Sequence, residues 1–476
     1  MGIKMNYDRD LQEVADSIRE GIDIKDVQDS SVCVERMTML TGEDYLDNRA
    51  RYLKLQLEND NDLRKAFKVL AQICNKAETL CDECPVRKYC NKYILSCRKE
   101  NSEGNLLVDL FCGAGGLSLG FTQEGFTVAL ANDIEDCCVE TYAHNHPETP
   151  RDHIIKGDIG LLYTNLSNLL QDKQVDVIVG GPPCQGFSMA NRQRLIDDPR
   201  NKLYRYYVEI VSKVKPKFFV MENVKGMLNV ASQVKEDFEA IGYTVSYNIL
   251  NAKDFGVPQN RERLIYIGNR VGISNTEIFK EIDELSKKIP YHTLEDALFG
   301  LRELKASRTK NSSNIGTPES GFIIERNCCL GSNNYIDYIN QGKKVNLVYN
   351  HKARYNNDRD IEIFGRMNPG DRADDPKIAD IMPYARRNGI FKDKYYKLQS
   401  DKICKTITAH MKYDCNMYIH PTQARGLTPR EAARVQSYPD DYFFKGPYTK
   451  TYMQIGNSVP PLLGRAIASV IKQFCK

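Results

Sequence analysis

A succession of short apolar runs, each ending in a polar or glycine-rich loop, constrains the fold of this chain more than any other feature. Leu106-Leu107-Val108-Asp109-Leu110-Phe111 runs into Cys112-Gly113-Ala114-Gly115-Gly116, followed by a helical stretch over 117–124. A second run, 126–131, ends at Asn132-Asp133, and a third strand end is marked by Gly157-Asp158-Ile159. Val175-Asp176-Val177-Ile178-Val179 leads into Gly180-Gly181-Pro182-Pro183-Cys184-Gln185-Gly186-Phe187-Ser188. A helical stretch over 203–214 precedes Phe218-Phe219-Val220-Met221, which stops at Glu222-Asn223-Val224. Apolar strands alternating with helices predict an α/β fold whose parallel sheet is covered on both faces. In such sheets ligands bind outside the carboxyl ends of the strands, where all these loops fall.

The loop residues have the chemistry of a reaction site. A glycine turn between a strand and a helix suits close approach of a phosphate or nucleoside, although glycine serves any tight turn. Asp133 lies twenty residues after Gly113, a distance at which an acid can accept bonds from ribose hydroxyls. Asp158 occupies the next strand end; the alternative for each acid is a helix N-cap. Cys184, just past a strand on a proline-stiffened loop, is a candidate nucleophile, and the alternative is a buried structural thiol. Glu222 directly follows a buried strand, where a carboxylate is costly unless paired or used. In Gln259-Asn260-Arg261-Glu262-Arg263, alternate residues Gln259, Arg261 and Arg263 face one side, ahead of a strand over 264–268.

With 476 residues the chain is long enough for two or three domains. A net charge of +3 means that any nucleic-acid site rests on local segregation of charge. No apolar run reaches membrane-spanning length, and the polar N-terminus does not read as a secretory signal. Fifteen cysteines, an odd number, fit reduced thiols in a cytosolic protein better than a disulfide framework. Residues 1–104 read as a mainly helical extension that carries Cys74, Cys81, Cys84 and Cys90. Thiolates at that density repel or share a metal, as an iron–sulfur cluster or a zinc ion; unligated cysteines are the alternative. Residues 301–426 lose the α/β alternation. Between Lys343 and Lys412 there are 16 Lys and Arg against 9 Asp and Glu, with tyrosines interleaved, as expected of an arm that meets phosphate. Order returns at Thr428-Pro429, a good N-cap and first helical residue, and continues through Gln454-Ile455-Gly456-Asn457-Ser458-Val459 into an apolar helix over 462–471.

Taken together these motifs resemble the DNA (cytosine-5)-methyltransferases of bacteria. Asp109 to Gly116 is similar to the family's S-adenosylmethionine loop. Pro182-Pro183-Cys184-Gln185, Glu222-Asn223-Val224 and Gln259-x-Arg261-x-Arg263 are similar to its catalytic blocks, and residues 427–442 and 456–459 to its closing motifs, in the family's order. The resemblance covers residues 105–300 and 427–476. It implies a Rossmann-like methyltransferase sheet, with the target-recognition domain at 301–426. It further implies that Cys184 adds to carbon 6 of a flipped-out cytosine, that Glu222 acts as the acid at ring nitrogen 3, and that Arg263 and Arg261 orient the base. The cofactor would lie against Phe111, Gly113, Gly116, Asp133, Ile134, Asp158, Ile159, Pro183, Asn457 and Val459. The expected partners are double-stranded DNA and a cognate restriction endonuclease, with a cytoplasmic, nucleoid-associated monomer acting on DNA. An RNA cytosine-5 methyltransferase and a non-catalytic relative are the rival readings. Separately, the spacing of Cys74, Cys81, Cys84 and Cys90 resembles the iron–sulfur loop of the endonuclease III family.

Overall fold

The structure, a computed structural model, describes residues 104–146, 148–171, 173–183, 201–310, 316–326, 331–343, 345, 347–383 and 392–475. The expected metal ligands Cys74, Cys81, Cys84 and Cys90 and the expected nucleophile Cys184 lie outside these residues.

The apolar runs form a seven-stranded sheet. Its strands are β1 (Leu106–Leu110), β2 (Thr127–Asp133), β3 (Ile154–Lys156), β4 (Val177–Gly180), β5 (Phe218–Val224), β6 (Thr244–Asn251) and, after the two-residue β7 (Gln259–Asn260), β8 (Glu262–Asn269). The order is β3-β2-β1-β4-β5-β8-β6, and β8 alone runs antiparallel to its neighbours β5 and β6. The chain adds strands outward from β1 in one direction, then returns to add β4 and β5 on the other side. That reversal opens a crevice at the carboxyl ends of β1 and β4. Two strands differ in length from their apolar runs. Hydrogen-bond pairing with antiparallel β8 carries β5 on through Glu222, Asn223 and Val224, so these residues belong to a strand and not to a loop. β1 stops one residue early because Phe111 turns into the left-handed region, with φ of 56°.

Both faces of the sheet are covered, as the continuous hydrophobic strands require. Leu107, Val177, Val179 and Val220 point into one core, and Val108, Ile178, Phe219 and Met221 into the other. The first core is closed by α1 (Gly116–Gln123) and the C-terminal α12 (Pro461–Phe474), with Leu117 and Phe121 meeting Leu463 and Ile467. The end of the chain therefore packs back on the first strand unit. The second core is covered by α3 (Ile159–Leu170), α4 (Lys202–Val214) and α5 (Ala231–Glu239).

The segment between the two conserved-order blocks contains short elements. Among them are α9 (Asp358–Arg366), a ribbon of β9 (Ile324–Arg326) with β10 (Leu347–Tyr349), and β11 (Cys404–Lys405), which pairs with β7. A third core mixes this segment with the closing one, joining Tyr335, Ile407 and Met411 to Leu427, Tyr438 and Tyr452. The short helix α10 (Pro429–Val435) is buried throughout. Thr428 Oγ1 accepts from the Glu431 backbone N–H at 3.1 Å while Glu431 accepts from the Thr428 N–H at 2.7 Å. Glu431 also takes a bidentate bond from buried Arg425, at 2.7 and 2.6 Å. Arg434 clasps Asp440 in the same way, at 2.6 and 2.8 Å. Burial raises the Glu431 carboxyl, but the Arg425 charge and hydrogen bonds outweigh it and hold the group well below the usual carboxylate range.

A buried pair of this kind is costly to break on one side only. Glu431→Gln should lose about 3–5 kcal/mol of stability to urea by leaving Arg425 buried and unpaired. Replacing Arg425 and Glu431 together by apolar residues of similar volume should cost less than the single change. A single change that costs more than the double is the expected order; the reverse would show that the pair itself is the main source of stability.

Candidate active site

The carboxyl ends of the strands enclose one cavity of about 540 Å³. Every expected site residue that the structure describes lines it. Phe111, Gly113 and Gly116 come from the turn after β1; Asp133 and Ile134 follow β2; Asp158 and Ile159 follow β3. Pro183 comes from beyond β4, Glu222 from β5, and Arg261 and Arg263 from the β7–β8 edge. Asn457 and Val459 close the cavity from the end of α11 (Tyr448–Asn457). Strand ends thus collect residues that lie as much as 348 positions apart in the chain.

The turn after β1 is fixed from two sides. Gly113 has φ of 54°, and its N–H donates to Asp133 Oδ2 at 2.8 Å. Asp133 Oδ1 accepts from the Glu135 N–H at 2.9 Å, so this acid holds its own loop and the glycine turn together. A side chain at Gly116 would collide with Ser458 Oγ and the Val459 carbonyl, so the closing segment can seat against α1 only over a glycine. Asp158 does take the alternative role considered above: it caps α3, accepting from the Gly160 N–H at 2.8 Å. It lines the cavity as well, so cap and site wall are the same residue. Ile134 is 65% exposed at the rim, an apolar face left open toward a planar ligand.

On the other side of the crevice Arg263 Nε meets Glu222 Oε1 at 2.6 Å, with both side chains largely buried. Strand pairing sets this up, because Arg263 stands opposite Val224, two residues along from Glu222. Gly181 leaves room for the carboxylate: a Cβ there would lie 2.9 Å from Glu222 Oε2. The Asn223 amide donates to the Pro182 carbonyl at 3.4 Å and ties the loop after β4 to β5.

Arg261 does not share the place of Arg263. Its buried guanidinium donates to the Ile407 carbonyl at 2.7 Å and to those of Gly456 and Ser458 at 3.0 and 2.8 Å. Burial, and then the charge of Arg263, push it below the usual arginine range. These bonds make Arg261 a tie between β7, the end of the insert and the C-terminal carbonyls of α11, where a cation is favoured, and its side chain lines the cavity as well. Gln259 completes the tie, accepting from the Ile407 N–H at 2.7 Å and donating to Gln436 at 2.9 Å.

The sequence reading missed Asp109, which also lines the cavity. It is buried under the turn, and its Oδ2 has no hydrogen-bond partner. Burial pushes the carboxyl up to about 7, a hydrogen bond from Ser118 pulls it back, and the nearby Asp133 raises it again. Only its place before the glycine turn could have marked it. Leu203, Met453 and Gln454 likewise line the cavity. Met453 and Gln454 precede Asn457 by four and three residues, on its face of α11.

Two predictions follow from these placements. Arg261→Ala orphans three buried carbonyls and should cost about 3–5 kcal/mol in urea unfolding, with thermal unfolding falling in step. An unchanged unfolding midpoint would return Arg261 to a role confined to catalysis. For Asp109 the native state holds a proton that the unfolded chain releases near pH 4, so stability from this group falls as pH rises from about 4 to about 7. Asp109→Asn should remove that decline and gain on the order of 3–4 kcal/mol at pH 8 relative to pH 4. Equal pH dependence in variant and parent would contradict it.

Comparison with known proteins agrees with this arrangement. The family model of C-5 cytosine-specific DNA methylases matches residues 106–473. The chain is 35% identical to Type II methyltransferase M1.HphI of Haemophilus parahaemolyticus over 394 residues, covering 80% of this chain and 91% of that protein. It is 32% identical to Type II methyltransferase M.AgeI of Thalassovita gelatinovora over 434 residues, covering 77% and 98%. A solved structure of a prophage-encoded protein of E. coli, 27% identical, matches with a TM-score of 0.57 over 78% of this chain and 99% of that one.

Proposed function

Since this chain belongs to the C-5 cytosine-specific DNA methylases, and so methylates carbon 5 of cytosine in DNA with S-adenosylmethionine, we propose the following division of labour among its residues. The observation that supports it is the single cavity shared by the β1–β3 loops and the Glu222–Arg263 pair. A methyl donor seated on the first group faces a base seated against the second.

The residues at the first half fit S-adenosylmethionine. The backbone at Phe111 and Gly113 is in the left-handed region, a Cβ on Gly113 would meet nothing within 4 Å, and Ile134 presents an open apolar face. Gly113, Gly116 and Val459 bring backbone close to the ligand. Phe111, Ile134, Ile159 and Pro183 contribute apolar walls, Asp133 and Asp158 accept from its hydroxyl and amino groups, and Asn457 closes the site. When bound, the cofactor supplies an electrophilic methyl group.

Cys184 follows, in the sequence, Pro183, which lines this cavity. It adds as a thiolate to carbon 6 of cytosine, which makes carbon 5 nucleophilic. Glu222 hydrogen-bonds ring nitrogen 3 and stabilises the charge that addition places there, and Arg263 fixes the Glu222 carboxyl group in place. Carbon 5 takes the methyl group, a base removes the proton from carbon 5, and Cys184 leaves as the ring is restored. A stacked base is out of reach, so the cytosine must turn out of the duplex.

Residues 105–300 and 427–476 form the catalytic part in this reading, and 301–426 choose the DNA target. The chain acts as a monomer on double-stranded DNA in the bacterial cytoplasm, at the nucleoid, beside a restriction endonuclease of the same specificity. No described helix is long and apolar enough to cross a membrane. The proposed metal centre is an iron–sulfur cluster or zinc on Cys74, Cys81, Cys84 and Cys90 in the extension 1–104.

Cys184→Ser should abolish methyl transfer to duplex DNA yet bind S-adenosylmethionine as the parent does, because serine is a far poorer nucleophile near neutral pH. Bisulfite sequencing of host DNA, with the parent gene and with the variant, reads the effect directly. Protected cytosines that persist with the serine variant would refute the assignment. For the metal centre, anaerobic protein should contain about four iron atoms if the centre is a [4Fe–4S] cluster, or about one zinc. Absence of both metals would leave these cysteines unligated.

A further inference from the structure

Two cations of the insert converge on one tyrosine ring. The Arg372 guanidinium lies 6.0 Å from the Tyr396 ring centroid, and the Lys405 ammonium 5.1 Å from the same centroid and 5.8 Å from that of Tyr418. The carboxylate that reaches Arg372, Asp393, is 3.7 Å away and itself exposed. Among the described residues Lys405 has no carboxylate at ion-pair distance. Burial pushes the Lys405 ammonium down; the Asp393 carboxylate draws it back up, and the charge of Arg372 lowers it by less. Such an arrangement is stable on a ring face.

Its position relates it to the active site. β11 pairs with β7 in parallel, Cys404 opposite Gln259 and Lys405 opposite Asn260. Cys404, Gln259 and Arg261 are buried, so Lys405 and Asn260 share the opposite, outward face. The junction is locked where Thr406 Oγ1 donates to the Asn260 carbonyl at 2.6 Å. From Asn260 the strand line continues to Arg263 and its Glu222 partner, three residues on, or about 10 Å at the rise of an extended chain. That is about three base steps along DNA.

We propose that Arg372, Tyr396 and Lys405 form a phosphodiester clamp that grips the DNA backbone about three base steps from the cytosine being methylated. This rests on the reading of the cavity given above. Lys405 and Arg372 neutralise phosphate charge, and Tyr396 holds both cations at a fixed height over the strand edge. A phosphate fits better than a base edge, because Arg372 and Lys405 present two positive charges on one ring. These are positioning residues: they set where the backbone lies, and through it which nucleotide reaches Glu222.

The test uses the full-length protein and a duplex carrying the site found by bisulfite sequencing. Parent protein is first shown to transfer methyl groups to this duplex; failure at that step refutes the cytosine reading and not the clamp. DNA affinity is then measured over a range of salt. Lys405→Gln should lower the slope of log affinity against log salt by about 0.9, and the double change with Arg372→Gln by about twice that. Lys405→Arg should keep the parent slope. Unfolding in urea and S-adenosylmethionine binding should stay at parent values, which separates the effect from misfolding. Uncharged methylphosphonate links placed singly around the target cytosine locate the contact. One link should weaken parent binding and leave the double variant's unaffected. An unchanged salt slope, or equal losses for parent and double variant at every link, would overturn the clamp.

Discussion

The closing of the chain depends on one buried guanidinium. Arg261 joins three carbonyls, one from the end of the insert and two from the C-terminus of α11. A fully buried cation is costly unless its donors are met, and these carbonyls are the orphan acceptors of a helix end. The two terminal nitrogens of Arg261 meet these carbonyls, while its buried Nε has no partner. The tie also brings Asn457 and Val459, near the end of the chain, against the turn that follows the first strand. The cavity is half built by residues 106–183 and remains open until residues beyond 450 return to it.

That return determines what the rest of the molecule can tolerate. α12 packs on α1, and the segment before it reaches the Gly116 turn only because no side chain stands there. The insert is anchored to the same frame through β11 on β7 and through a core shared with the closing segment. Its short elements thus borrow rigidity from the catalytic sheet. An insert held in this way is fixed relative to Glu222 and Arg263, as the proposed reading of DNA by this segment requires.

Much of this was legible in the sequence, for a physical reason. Strands buried on both faces must be continuously apolar, so their ends stand out, and ligand chemistry gathers at the ends. Asp133, Asp158 and Glu222 stand out in that way, whereas Phe111 is marked by the family resemblance and Arg263 by that resemblance and its alternation ahead of a strand. The pattern was silent where a role depends on partners far along the chain. Arg261, just before β8, and Arg263 within it are only two residues apart, yet one ties carbonyls and the other pairs with a carboxylate. Nothing local distinguishes them. The pairing of Lys405 with Asn260 spans 145 positions and uses two-residue strands, too short for any periodicity to register. Asp109 reads as an ordinary strand residue until the fold buries it beneath the turn.

The central claim is that this cavity carries covalent catalysis at cytosine through Cys184. Fluorine at carbon 5 blocks the final loss of the proton, so the enzyme should be trapped on its substrate. Duplex DNA synthesised with 5-fluorocytosine in place of cytosine, incubated with parent protein and S-adenosylmethionine, is examined by mass spectrometry after peptide digestion. The account predicts one adduct, on the peptide containing Cys184, in which the base also carries the transferred methyl group. Methyl transfer to ordinary cytosine by the same preparation, with no adduct at Cys184 on the fluorinated duplex, would contradict it.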